Sequence, residues 1–248
     1  MTTMTTMIQL KRAISSNFIK QKRGLFPLLH LLAAILYPLA LVLYLRSRLS
    51  IMTVNQISFI FFELLAMALP LPIAIIASLC RDQEEKAGHY KNLISLIPSR
   101  TIAFWGQVLM AWLSFAVCVL VATGIFASGF AVLKKPLSFG LLSLMVILTV
   151  VLSLAQYVIY FTVSYLTSVA ATLGIGMAGI IIAALCETSL GDRIWWILPW
   201  SWIARMLKLL LENPQQMLLM LGFLLFLTVL VFIWSGRTIN KRFKNEMK

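Results

Sequence analysis

The sequence predicts an all-α, polytopic membrane protein. It would have six transmembrane helices, an N-terminal interfacial helix and a short amphipathic helix on the cytoplasmic side. Three observations predict this. Of 248 residues, 61% are hydrophobic and only 12% charged, against roughly half and a quarter in soluble chains. No single soluble core of this length encloses so much apolar surface. Apolar runs near the ~20 residues needed to cross a bilayer recur six times, and the basic residues collect at their ends rather than along a polar face. The net charge of +13 therefore reads as membrane topology, and nucleic acid is excluded as a partner.

Taken in order, residues 1–24 come first. Leu10, Ile14 and Phe18 recur every four residues among Lys11, Arg12, Lys20, Lys22 and Arg23, the pattern of a basic helix lying in the inner interface. Spans follow at 25–45, 57–79, 102–127, 139–163, 168–186 and 215–235. The first has about twice the apolar length of a signal sequence and no small-residue cleavage site after it, so it should remain as an anchor. With the N-terminus inside, fourteen Lys and Arg fall on the inner side and seven on the outer. That bias over an even number of spans places both termini in the cytoplasm. Pro70 and Pro72 should kink the second span. Ala170, Gly174 and Ala178, at i, i+4 and i+8, should form a face for close helix packing. The chain reads as one membrane domain, 1–248.

Absences decide the class. The chain has no GxxxxGK[ST] loop to cradle a nucleotide, and no HExxH or GxSxG motif. Cys80, Cys118 and Cys186 form no CxxC pair, and His30 and His89 are too few for a metal cluster. No catalytic residue and no metal ligand is assigned, and the chain is not expected to be an enzyme.

The segment 81–100 carries the most information. Five of the six residues from Arg81 to Lys86 are charged, which predicts a solvated stretch. Tyr90, Leu93, Ile94 and Ile97 then fall on one helical face, and Pro98 ends it. Asp82, Glu84 and Glu85 would precede this helix, where negative charge suits the positive end of its dipole. Glu85, Gly88, Asn92 and Leu93, followed by Leu96, Pro98, Ser99 and Arg100, resemble the cytoplasmic loop of type-2 ABC transporter permeases. More narrowly, Glu85-x-x-Gly88-x-x-x-Asn92-Leu93 is similar to the lantibiotic-immunity permeases of Gram-positive bacteria. The resemblance implies a coupling helix, with Glu84, Glu85, Gly88, Tyr90, Leu93, Ile94, Ile97 and Pro98 meeting a dimer of a separate ABC ATPase that holds ATP and Mg. It further implies a second permease, identical or paralogous, and an amphipathic peptide substrate expelled from a bacterial cytoplasmic membrane back to the medium.

Two further places are candidates for substrate contact. The outer stretch 187–214 holds Trp195, Trp196, Trp200 and Trp202, four of the seven tryptophans. They read either as an aromatic belt or as a surface for an amphipathic peptide; Leu198 to Ser201 resembles the same loop of the immunity permeases. After Pro199, Ile203, Leu207 and Leu210 share one helical face, with Arg205, Lys208 and Glu212 off it. Glu63, inside the second span, is costly to ionise in hydrocarbon, so it should either face a cavity or a partner or, being about six residues from the outer end of its span, reach the headgroups. It also supports a rival reading, a proton-coupled secondary transporter. A membrane scaffold or sensor subunit is the third.

Overall fold

The computed structural model describes residues 3–22, 24–86 and 100–245. Within them every regular element is helical. The helices are α1 (Thr3–Gln21), α2 (Leu25–Leu45), α3 (Val54–Ala68), α4 (Pro70–Lys86), α5 (Arg100–Val132), α6 (Phe139–Leu166), α7 (Val169–Cys186), α8 (Trp202–Glu212) and α9 (Pro214–Asn245). Five of them are long and apolar enough to cross a membrane, and α3 with α4 makes a sixth when the bent pair is taken as one span. The chain is a multi-pass membrane protein.

Local chemistry sets the boundaries. Thr53 opens α3 with a reciprocal cap: Gln56 N–H donates to Thr53 Oγ1 at 3.3 Å, and Thr53 N–H to Gln56 Oε1 at 2.9 Å. Ser138 and Ser168 cap α6 and α7 in the same sense, accepting from Leu141 N–H and Ala171 N–H. The expected kink lies at Leu69, where α3 and α4 meet at 44°. Pro70 begins α4, the position where a missing N–H costs least.

The most buried span is α6, with Tyr157, Tyr160, Phe161 and Tyr165 each almost wholly enclosed. Around it, α2 buries only one stripe (Phe26, Ala34, Pro38, Leu41 and Leu45); its other faces are exposed Leu and Ile, as a lipid-facing helix requires. On α1, the face turned to the protein is Ala13, Asn17 and Gln21, while Phe18 and Ile19 are exposed. Gly106 of α5 lets α1 approach, since a Cβ there would lie 2.7 Å from Ala13 Cβ.

Two expectations are corrected. Ala170, Gly174 and Ala178 are exposed, and a Cβ on Gly174 would meet nothing within 4 Å. The close-packed face of α7 is instead Gly176 and Gly179, where a Cβ would sit 2.7 Å from Ala74 Cβ and from Pro70 Cβ respectively. Both faces of α7 are rich in small residues, so periodicity alone could not choose between them. In addition, Asp82, Glu84 and Glu85 are themselves helical. They form the last turns of α4, the end at which the helix dipole disfavours anions.

Candidate functional site

The last turns of α4 are held by ion pairs instead of the dipole. Arg81 pairs with Glu85 at 2.9 Å and Lys86 with Asp82 at 2.6 Å, both at i,i+4. Glu84 points the other way, into the protein, and is 4% exposed, not solvated as its neighbours' charge suggests. Lys20 Nζ of α1 lies 2.8 Å from its Oε1, and Gln107 Nε2 of α5 donates to the same oxygen at 3.0 Å. Tyr165 of α6 donates to Gln107 Oε1. Beside it, Gln21 Nε2 donates to Gln83 Oε1 at 2.6 Å. One carboxylate thus ties α1, α4 and α5 together, and Gln107 carries the link on to α6. This joint sits at the root of the 87–99 segment. Gly88, Tyr90, Leu93, Ile94, Ile97 and Pro98 lie outside the described residues.

A second charged group lies at the other end of the bundle, where α8 tucks back among the spans and Trp202 to Leu207 are all buried. Arg205 is 9% exposed. Its Nε donates to Cys186 O at 2.6 Å and its Nη2 to Thr188 O at 2.9 Å, and Nη1 pairs with Asp192 at 2.9 Å. A cation on the last carbonyls of α7 satisfies acceptors that the helix itself leaves open. Glu187 lies 3.8 Å from Arg205 Nε, with its Oε1 buried and unbonded. Burial pushes its carboxyl up to about 7, partly opposed by Arg205 and reinforced by the charge of Glu63. Glu63 is half-buried, and Lys208 of α8 and Glu187 act on it electrostatically. The fold therefore brings Glu63, Glu187, Arg205 and Lys208 together across 145 residues of sequence, a grouping that no local pattern announces.

The four tryptophans separate by role. Trp195 and Trp202 are 9% and 1% exposed, and Trp202 Nε1 donates to Trp196 O at 2.9 Å. Trp200 Nε1 donates to Tyr160 Oη at 2.8 Å, and Gln156 Nε2 binds Pro199 O at 3.0 Å, so the turn is pinned to α6. Trp196 is 39% exposed. With Ile197, Pro199 and Trp202 it forms one wall of a groove of about 320 Å3; Leu227, Leu230, Val231 and Trp234 of α9 form the other. Trp234 is missing from the sequence reading. Its spacing from the loop gives no hint, and only the way α9 packs brings it there.

The three cysteines are free and lie apart, and among the described residues no cluster could hold a metal ion. No protein-family model and no curated protein matches the chain.

Proposed function

We propose that this chain is the membrane-spanning permease subunit of an ABC exporter, driven by a separate ATPase and expelling an amphipathic antimicrobial peptide of the lantibiotic kind. The observation that carries the reading is the Glu84 joint. A force applied to the 87–99 segment would enter α4 beside a buried carboxylate bound to α1 and α5 and linked through Gln107 to α6, as a coupling element requires. The bent α3–α4 span, the family-like motif from Glu85 to Arg100 and the aromatic groove at Trp196 and Trp234 agree with it. A peptide lying in the outer leaflet would dock along that groove and leave without a wide aqueous pore. With no P-loop in this chain, ATP and Mg belong to the partner ATPase dimer. The complex would sit in a bacterial cytoplasmic membrane with both termini inside, paired with a second permease.

The test is the growth-inhibiting concentration of a lantibiotic panel for the parent strain, a gene deletion and a Gly88→Pro strain with equal membrane levels. Sensitivity of both mutants to one peptide is the expected result. Sensitivity of the deletion alone removes the coupling role of the loop, and no change in either removes the peptide assignment. The electrostatic influence that Lys208 and Glu187 exert on Glu63 favours one second reading, a proton-coupled transporter. That reading expects Glu63→Gln to abolish immunity while a protonophore does the same, with the ATPase gene dispensable.

A further inference from the structure

Beside the kinked span lies a cavity of about 280 Å3 that neither end of the molecule uses. Its walls come from α2 (Leu29, Ala33), from the α3–α4 break (Ala68, Pro72), from α5 (Phe115, Ala122) and from Tyr157 of α6. Leu29 to Tyr37 cover about 12 Å of α2 and start about 6 Å from its first residue, which puts the cavity at hydrocarbon depth. No charged side chain lines it. Of its four side chains with polar atoms, three hold their donors on backbone carbonyls: His30 on Phe26 O, Tyr37 on Phe61 O and Cys118 on His30 O. Their donors are thereby used up, and among these three side chains only His30 Nε2 is left as a buried polar atom without a partner.

The mouth is lateral. Ala33 and Leu29 on α2, and Pro72 on α4, are exposed, whereas Phe115, Ala122 and Tyr157 at the back are 6%, 4% and 1% exposed. Water gains nothing in an apolar site without two or more polar partners. An empty space forfeits dispersion contacts along every wall. The volume is about twice the ~150 Å3 that suffices for a benzene ring in a dry cavity. What surrounds the mouth of a bilayer-spanning helix pair is hydrocarbon chain.

We propose that this cavity is a binding site for one acyl chain of a membrane phospholipid, which enters between α2 and α4 and ends against Phe115 and Tyr157. The proposal is independent of what the protein transports. Annular lipid reaches only exposed residues, so a chain that labels the buried back wall must be inside.

The test uses the full chain in vesicles of phosphatidylethanolamine and phosphatidylglycerol that contain a phospholipid with a diazirine on its acyl chain. After irradiation, mass spectrometry maps the adducts. The expected result is labelling at Phe115, Ala122 or Tyr157 in addition to annular sites such as Leu219 and Phe226, which are 78% and 58% exposed. Ala122→Phe, which fills the cavity, should lower back-wall labelling about tenfold and leave the annular sites unchanged. Should that variant lose its annular pattern through misfolding, Ala33→Trp closes the exposed mouth and decides the matter with the same readout. Label confined to exposed residues overturns the proposal, as does back-wall label that survives both substitutions.

Discussion

The two ends of the bundle each bury a charge, and they satisfy it in opposite ways. At the α1 end, an anion, Glu84, is surrounded by donors from α1 and α5. At the α8 end, a cation, Arg205, is surrounded by carbonyls and carboxylates. Lys20, the partner of Glu84, is itself 48% exposed, so water shares the ion pair. Arg205 is enclosed and keeps a neighbour, Glu187, whose oxygen has no hydrogen bond. At the α1 end the unbonded atom beside Glu84 is a neutral amide oxygen, Gln21 Oε1, which does not titrate, while the spare carboxylate beside Arg205 answers to protonation.

The sharpest way to break this comparison is Arg205→Met. It strands the Glu187 carboxyl and two carbonyls, while Asp192, 59% exposed, keeps water; the expected cost is about 3 kcal/mol, read as a lowered melting temperature of the detergent-purified protein. Arg205→Lys should recover only part, since an ammonium cannot reproduce the fork.

Next in size is the pH response of Glu187. Its carboxyl titrates near 7 in the fold and near 4.5 when unfolded, so the folded state holds the extra proton. Its contribution is complete below about 4.5 and is lost as the pH rises through 7. Melting curves across that range should fall by an increment of up to about 3 kcal/mol. Glu187→Gln, which stays neutral, should flatten the fall and be the more stable form at pH 8. An unchanged slope would mean that Glu187 is solvated as an ordinary carboxylate.

Glu84→Ala should cost about 2 kcal/mol, because Gln107 Nε2 loses its acceptor inside the protein. The local sign is faster tryptic cleavage at Lys20 and Lys22 as α1 loosens. Glu84→Gln, which keeps an acceptor, should fall between the two. Glu85→Ala, which breaks only a half-exposed pair with Arg81, should change stability by less than about 0.5 kcal/mol.

How far the sequence alone carries the reader follows from these same residues. Spans are legible because lipid imposes a length and a composition on each one separately. The break at Leu69 is legible too, since two prolines announce it. Glu84 is not, because its burial depends on Lys20 and Gln107, which arrive from distant helices and offset a charge that its neighbours advertise as solvated. Arg205 misleads in the same way. The period of α8 sets it off the apolar face, yet the loop before it folds over and supplies acceptors. Of the expected substrate-contact residues, Trp196 and Trp202 border the groove and Glu63 joins the charged cluster, while Trp195 is buried in the turn and Trp200 pins it to α6.

The glycines at 176 and 179 carry a mechanical consequence. With backbone against Ala74 and Pro70 and no side chain between, α4 and α7 have no play across their contact. A tilt of the second span would therefore press on α7 at this contact, and the breaks in regular helix nearest to it are Leu69 and the turn at Thr167 and Ser168. In the exporter reading, a push arriving at the Lys86 end of α4 would pass through this contact into α7, whose far tip is bonded to Arg205 through Cys186 O.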